Sequence, residues 1–284
     1  PPPVLPSRPD VDDGSPRPRR APVADGALPR LAGGVLVRAL AGALLLFLVL
    51  PVAVLVARGA GADGAVGRLL RDVELGQALA VSALAATAAT GLAVLGGTPL
   101  AWLLARRRVP AAPLVEAVLD LPLVLPHPVA GLALLLVLGR DAPAGAALLA
   151  LGVRVVGSPL GAVAAMLFVG APLYVSAARA TFAQVDASHE LVARTLGAGP
   201  WRAFRRVTLP LARRGLLAGA VTAWARGVSE FGAVVVLAYH PRVVSTLAYE
   251  RFTGFGLAES LPVAAALVAV ALVPLLVLRA LARR

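Results

Sequence analysis

Six long apolar runs limit what this chain can fold into: residues 36–57, 78–104, 115–138, 159–179, 212–238 and 260–280. A helix needs about 20 apolar residues to cross a bilayer, and inside hydrocarbon it must satisfy its own backbone groups. Each run meets that length. Hydrophobic residues make up 59% of the chain and charged residues 15%, far from soluble usage. The expected fold class is all-α, a polytopic membrane protein of about six transmembrane helices.

Charge orients these helices, because short cytoplasmic loops hold an excess of positive residues. Arg17, Arg19, Arg20 and Arg30 precede the first run, Arg106, Arg107 and Arg108 follow the second, and Arg279, Arg283 and Arg284 close the chain. The loop between the fourth and fifth runs adds Arg194, Arg202, Arg205, Arg206, Arg213 and Arg214. The other face carries Arg58, Arg68, Arg71, Arg140, Arg154, Arg242 and Arg251, spread over three loops. The bias predicts a multi-pass protein of the cell membrane, surrounded by lipid, with both termini cytoplasmic. It also accounts for most of the net charge of +12 as orientation, so no nucleic acid is expected as a partner.

Residues 1–34 are rich in Pro, Gly, Ala and charge, with too little apolar content to fold alone, and are expected to be a disordered cytoplasmic tail. The first apolar run lies too far from the start, and is too long, for a signal-peptide core. Residues 35–57 are therefore expected to be the first transmembrane helix. The stretch 140–156 is mildly apolar and open to a re-entrant or seventh-segment reading, but Asp141, Pro143 and Arg154 make it a poor span.

Several chemistries are excluded by residue type. The chain has no Cys, so it has no thiolate ligand and no thiol nucleophile. All 27 basic residues are Arg, and without Lys no Walker-type loop can reach a nucleotide's β and γ phosphates. His189 and Glu190 begin an HExxH pattern, but position 193 is Ala where the second metal-binding His would stand. No catalytic residues, bound metal or resident cofactor are expected.

The most organised hydrophilic stretch is ASHELVARTLGAGPWRAFRRVTLP, residues 187–210. Asp186 or Ser188 can cap a first short helix, Gly197 can end it in the left-handed conformation, and Pro200 suits the first turn of a second. Pro210 then precedes the next span. In the second helix Trp201, Phe204 and Val207 recur every three residues as an apolar stripe that must bury itself. Periodicity leaves two readings even: a helix lying on lipid headgroups, or one docked on a partner protein.

This stretch resembles the coupling loop of ABC importer permeases: EAA, three residues, G, nine residues, an aliphatic residue, one more, then LP. LVA at 191–193, Gly197, Val207, Leu209 and Pro210 keep that spacing. The resemblance covers about residues 75–280 and implies the type I permease fold. It also implies a homodimer, an extracytoplasmic oxyanion-binding protein, and separate ABC ATPase subunits that hold ATP and Mg. Glu190, Leu191, Ala193, Gly197, Leu209 and Pro210 would be the ATPase-coupling positions. The family's Glu falls on Leu191, with Glu190 one place earlier.

Two further segments narrow the resemblance. DLPLVLPHPVAGLALLL, residues 120–136, is similar to the Pro-rich span opening of molybdate, tungstate and sulfate permeases. WARGVSEFGAVVVLAYHPRVVSTLAYERF, residues 224–252, is similar to the tungstate and molybdate branch found in archaea. The resemblance implies molybdate or tungstate import, with sulfate as an alternative and an ion-coupled secondary transporter as a remoter one.

Pro122, Pro126 and Pro128 cannot continue an unbroken helical ladder, and such backbone at membrane depth belongs beside a substrate path. Pro126 and His127 are therefore candidate path residues, His127 serving either as an anion donor or as a packing residue. Arg226 and Glu230 stand four apart, one helical turn, and can pair on one face, whether to fix packing or to gate. Gly91, Gly96, Gly97, Gly219 and Gly232 fit close helix crossings, and Trp102 and Tyr239 fit headgroup belts.

Overall fold

The computed structural model describes residues 27–61 and 71–282, and every regular element among them is helical. In chain order these are α1 (Ala27–Ala60), α2 (Val73–Ala105), α3 (Ala112–Val124), α4 (His127–Leu138), α5 (Pro143–Ala150) and α6 (Pro159–Gln184). They continue with α7 (Ser188–Thr195), α8 (Pro200–Ala203), a π-helical turn (Phe204–Thr208), α9 (Leu209–Val228), α10 (Gly232–Leu237), α11 (Val244–Phe255) and α12 (Leu257–Ala282). The chain divides into two units, residues 1–50 and 51–284.

In the first unit α1 presents exposed Val35, Leu40, Leu45 and Phe47 on all sides, as a lipid-facing span does. The helix begins at Ala27, inside the segment expected to be disordered tail, and Pro29 falls in its first turn, where a missing N–H costs nothing. The rest of that tail, with Arg17, Arg19 and Arg20, lies outside the described residues, as do Arg68, Arg283 and Arg284.

The second unit is built around α2, α6 and α9, which pack on one another. Their contact faces are lined by Ala: Ala85, Ala86, Ala89, Ala162, Ala165, Ala212 and Ala223 are buried. Small residues let helix backbones approach closely, which is how helices associate when lipid already surrounds their apolar side chains. Tyr174 is fully buried in this core because its hydroxyl meets Thr98 Oγ1 at 2.6 Å.

Among the described residues four helices are long and apolar enough to cross a membrane: α1, α2, α6 and α12. The third apolar run is instead α3 plus α4, bent by 115°. Leu125 is extended because it precedes Pro126, while His127 and Pro128 occupy the first turn of α4, where a missing N–H costs nothing. Counting this pair gives five spans. The fifth expected run, 212–238, is not one helix: α9 stops at Val228, residues 229–231 break it, and α10 is short. Arg213, Arg214 and Arg226 also keep α9 below the apolarity of a simple span. The stretch 140–156 holds the eight-residue α5, too short to cross.

Candidate functional site

The sequence reading separated α8 from the fifth span at Pro210, but the helix runs straight through. Leu209 N donates to Phe204 O, five residues back, forming a π-helical turn. The wider turn fits Pro210, which has no N–H and whose ring would otherwise press on the carbonyl four residues earlier. Loop 187–210 therefore continues into α9, whose 20 residues span about 30 Å.

The first loop helix, α7, is capped as expected: Asp186 Oδ1 accepts from Ser188 N at 2.8 Å, which holds the Asp186 carboxyl below its ordinary range. Gly197 ends the helix at φ +86°. Gly197 N donates to Arg194 O and Ala198 N to Ala193 O, the paired bonds of a Schellman ending.

The apolar stripe splits. Phe204 is buried between Trp102 and Phe182, with ring centroids 5.0 and 6.0 Å away, whereas Trp201 stacks on its outer side and stays 67% exposed. Leu191, Val192 and Leu196 are exposed beside a cleft of about 550 Å³ lined by Leu191, Arg194, Thr195 and residues Gly197 to Pro200. Ala193 and Leu209 are half-buried and Pro210 is exposed.

Glu190 lies inside, 7% exposed. Its Oε1 accepts from Arg106 Nη2 at 2.7 Å, Arg106 Nε at 3.0 Å, Thr208 Oγ1 at 2.8 Å and Trp102 Nε1 at 3.2 Å. Burial alone would raise this carboxyl's pKa, but the bonds from Arg106, Thr208 and Trp102 outweigh it and hold the group below its ordinary value. Trp102 is thus a structural donor to Glu190. Nothing in the local sequence pairs residues 102, 106 and 190.

The second cluster sits where α4 meets the break after α9. Arg226 Nη2 donates to Glu230 Oε2 at 2.7 Å and approaches both ring nitrogens of His127, at 3.1 and 3.0 Å. Glu230 is 1% exposed, its Oε1 accepts from Ala233 N at 2.8 Å, and its carbonyl accepts from Ser245 Oγ at 2.8 Å. The carboxylate thus caps α10 while it binds Arg226. A Cβ on Gly232 would collide with His127, so Gly at that position is what lets α10 come against α4. His127, Pro128, Arg226, Ser229, Glu230, Phe231 and Gly232 line an open cleft of about 360 Å³. Pro126 stands at the bend beside it, exposed. Spacing along one helix marks Arg226 with Glu230, but no local pattern brings His127, 99 residues from Arg226, to the pair.

Other expected close crossings differ. Gly97 and Gly219 do pack on α6 at Tyr174, Val175 and Ala177, whereas Gly91 and Gly96 face open space. Three ion pairs had no sequence signal: Arg179 with Glu116 at 2.7 Å, Arg251 with Asp72 at 2.7 Å, and Arg242 with Glu250 at 2.6 Å.

Comparison with known proteins agrees with this architecture. Residues 97–284 match the family described as binding-protein-dependent transport system inner membrane component. The molybdate/tungstate transport system permease protein WtpB of Thermococcus kodakarensis is 38% identical over 241 residues, covering 85% of this chain and 92% of that protein. A probable molybdenum ABC transporter permease protein of Haloferax volcanii is 39% identical over 242 residues, 85% of this chain and 88% of its own length. Among solved structures, a bacterial ABC transporter that imports the acidic polysaccharide alginate superposes with a TM-score of 0.60 at 20% identity, over 90% of this chain and 99% of that one.

Proposed function

Because the chain belongs to the family of binding-protein-dependent transport system inner membrane components, we propose that it is the permease subunit of an ATP-driven importer carrying molybdate or tungstate across the cell membrane. The observation that carries the substrate is the 38% identity to a molybdate/tungstate permease across 92% of that protein's length.

Two copies of this chain form the path, an extracytoplasmic binding protein delivers the anion, and separate ATPase subunits hold ATP and Mg. The arginine excess of loop 187–210 favours its cytoplasmic side, where an ATPase can reach it. Leu191, Val192, Leu196 and Trp201 are exposed there and give the apolar surface a docking helix needs. Gly197 and the Schellman ending fix the angle between α7 and α8, so the docked unit moves as a piece.

Movement of the loop reaches the path through α9, which continues from the loop without a hinge and ends beside Glu230. Arg226 and His127 face the open cleft there. A divalent oxyanion passing Arg226 competes with Glu230 for its donors, so the cation attracts the anion without trapping it. Glu230 stays ordered throughout by capping α10.

The test is uptake of radiolabelled tungstate, molybdate and sulfate into vesicles holding this chain, its ATPase and its binding protein. ATP-dependent uptake of tungstate or molybdate is the expected result. Uptake of sulfate alone overturns the substrate, and failure of the chain to co-purify with an ATPase overturns the class.

A further inference from the structure

Arg106 enters the sequence as one of three arginines that orient α2. Its neighbours stay in that role: Arg108 lies over the Trp102 ring at 4.9 Å and Arg107 lines an open cavity between α3 and α6. Arg106 does something different. Its Nε and Nη2 bind Glu190, and its Nη1 donates to Phe182 O at 3.3 Å and Val185 O at 3.0 Å. Those carbonyls belong to the C-terminal end of α6, where a helix leaves acceptors without partners and where its dipole favours a cation.

One guanidinium therefore ties together the end of α2, the end of α6 and the coupling-loop helix α7. Glu190 extends the tie, since it also receives Thr208 from the π-helical turn that leads into α9. Apolar residues of similar volume generally stabilise such a place as well as a buried ion pair does; what directional pairing adds is a fixed register. The planar fork of Arg suits that task, because its donors point to two sets of acceptors at once.

From this convergence we propose that Arg106, through Glu190, is a positioning residue for energy coupling: it passes displacement of loop 187–210 to α2 and α6 together, alongside the direct route through α9. Without it α7 keeps its covalent link through residues 185–187, and Phe204 keeps its packing on Trp102 and Phe182, but the polar tie that fixes the register of α7 against α2 and α6 is lost. This rests on the reading of the loop as the ATPase-docking element.

The experiment compares wild type with Arg106→Lys, Arg106→Gln and Glu190→Gln, each assembled with the ATPase and binding protein in vesicles, and counts tungstate ions imported per ATP hydrolysed. Site-to-site coupling is typically worth about 5–150-fold, so Arg106→Gln is expected to lower that ratio about 10-fold while the ATPase still co-purifies. Arg106→Lys falls between, since one ammonium cannot serve both the carboxylate and the α6 carbonyls. Ratios within about two-fold of wild type in all three variants, with assembly intact, overturn the proposal.

A second measurement needs no partner. Amide hydrogen exchange on the purified chain is expected to rise across residues 187–199 in Arg106→Gln, with α9 still protected. Unchanged exchange there overturns the joint even where the docking reading stands. A wild-type chain that does not bind the ATPase but shows the exchange change overturns the docking reading alone.

Discussion

Two buried glutamates bracket α9, and they are built in different ways. Glu230, just past its C-terminal end, takes its arginine from one helical turn away and spends its other oxygen on the backbone of α10. Glu190, beside its N-terminal approach, gathers donors from Trp102, Arg106 and Thr208, residues as far as 88 positions away, on a single oxygen. The Glu230 pair is local and faces an open cleft. The Glu190 cluster is long-range and closed. A local pair can exchange partners without moving any helix, whereas a pair that joins separate helices holds their register; on the proposed function the first suits a passing anion and the second a coupling joint.

The largest expected effect breaks the local pair. Arg226→Ala leaves Glu230 charged and buried, and is expected to cost about 3–5 kcal/mol by thermal unfolding in detergent. Replacing both residues, Arg226→Met with Glu230→Leu, is expected to recover most of that while transport stays lost. No recovery would mean that Glu230 matters through its cap on α10 and not through Arg226.

Next comes the closed cluster. Glu190→Gln keeps a hydrogen-bonding side chain but loses the charge, with an expected cost of about 1.5–3 kcal/mol at neutral pH. The folded carboxyl titrates below the ordinary glutamate range, so its contribution is full above that range and disappears as pH falls through the lowered value. The gap between wild type and Glu190→Gln should therefore close in acid. A gap independent of pH would remove the ion pair from the account of this cluster.

Gly197→Ala forces a side chain into a backbone conformation at φ +86° and is expected to cost about 1–2 kcal/mol, with ATPase binding weakened more than overall stability. The smallest effect on stability is expected at His127. Its side chain is half exposed, so His127→Ala should change unfolding by about 0.5 kcal/mol or less and be felt in uptake rate instead. A large stability loss would make it a packing residue.

The two clusters also differ in how visible they were. Arg226 and Glu230 announced themselves because i and i+4 lie on one helix face, and the Pro-His-Pro run announced a break because proline chemistry acts locally. The Schellman turn at Gly197 was readable for the same reason. Arg106 looked like an orienting charge and Trp102 like a headgroup anchor, since either role is satisfied by composition near a span end. Nothing in the chain near residue 106 states that Glu190 will fold back against it. Apolar residues on both sides of 229–231 hid the break there as well.

By itself the sequence determined the helical class, the membrane setting and the end of α7 at Gly197, because each depends on apolar length or local backbone preference along one segment. Tertiary structure alone decided that the third apolar run folds into a 115° bend, that the loop runs unbroken into α9, and that Arg106, Trp102 and Thr208 converge on Glu190. Those outcomes depend on which helix faces meet, and faces lined by alanine and glycine accept many crossings until every buried polar group must find a partner.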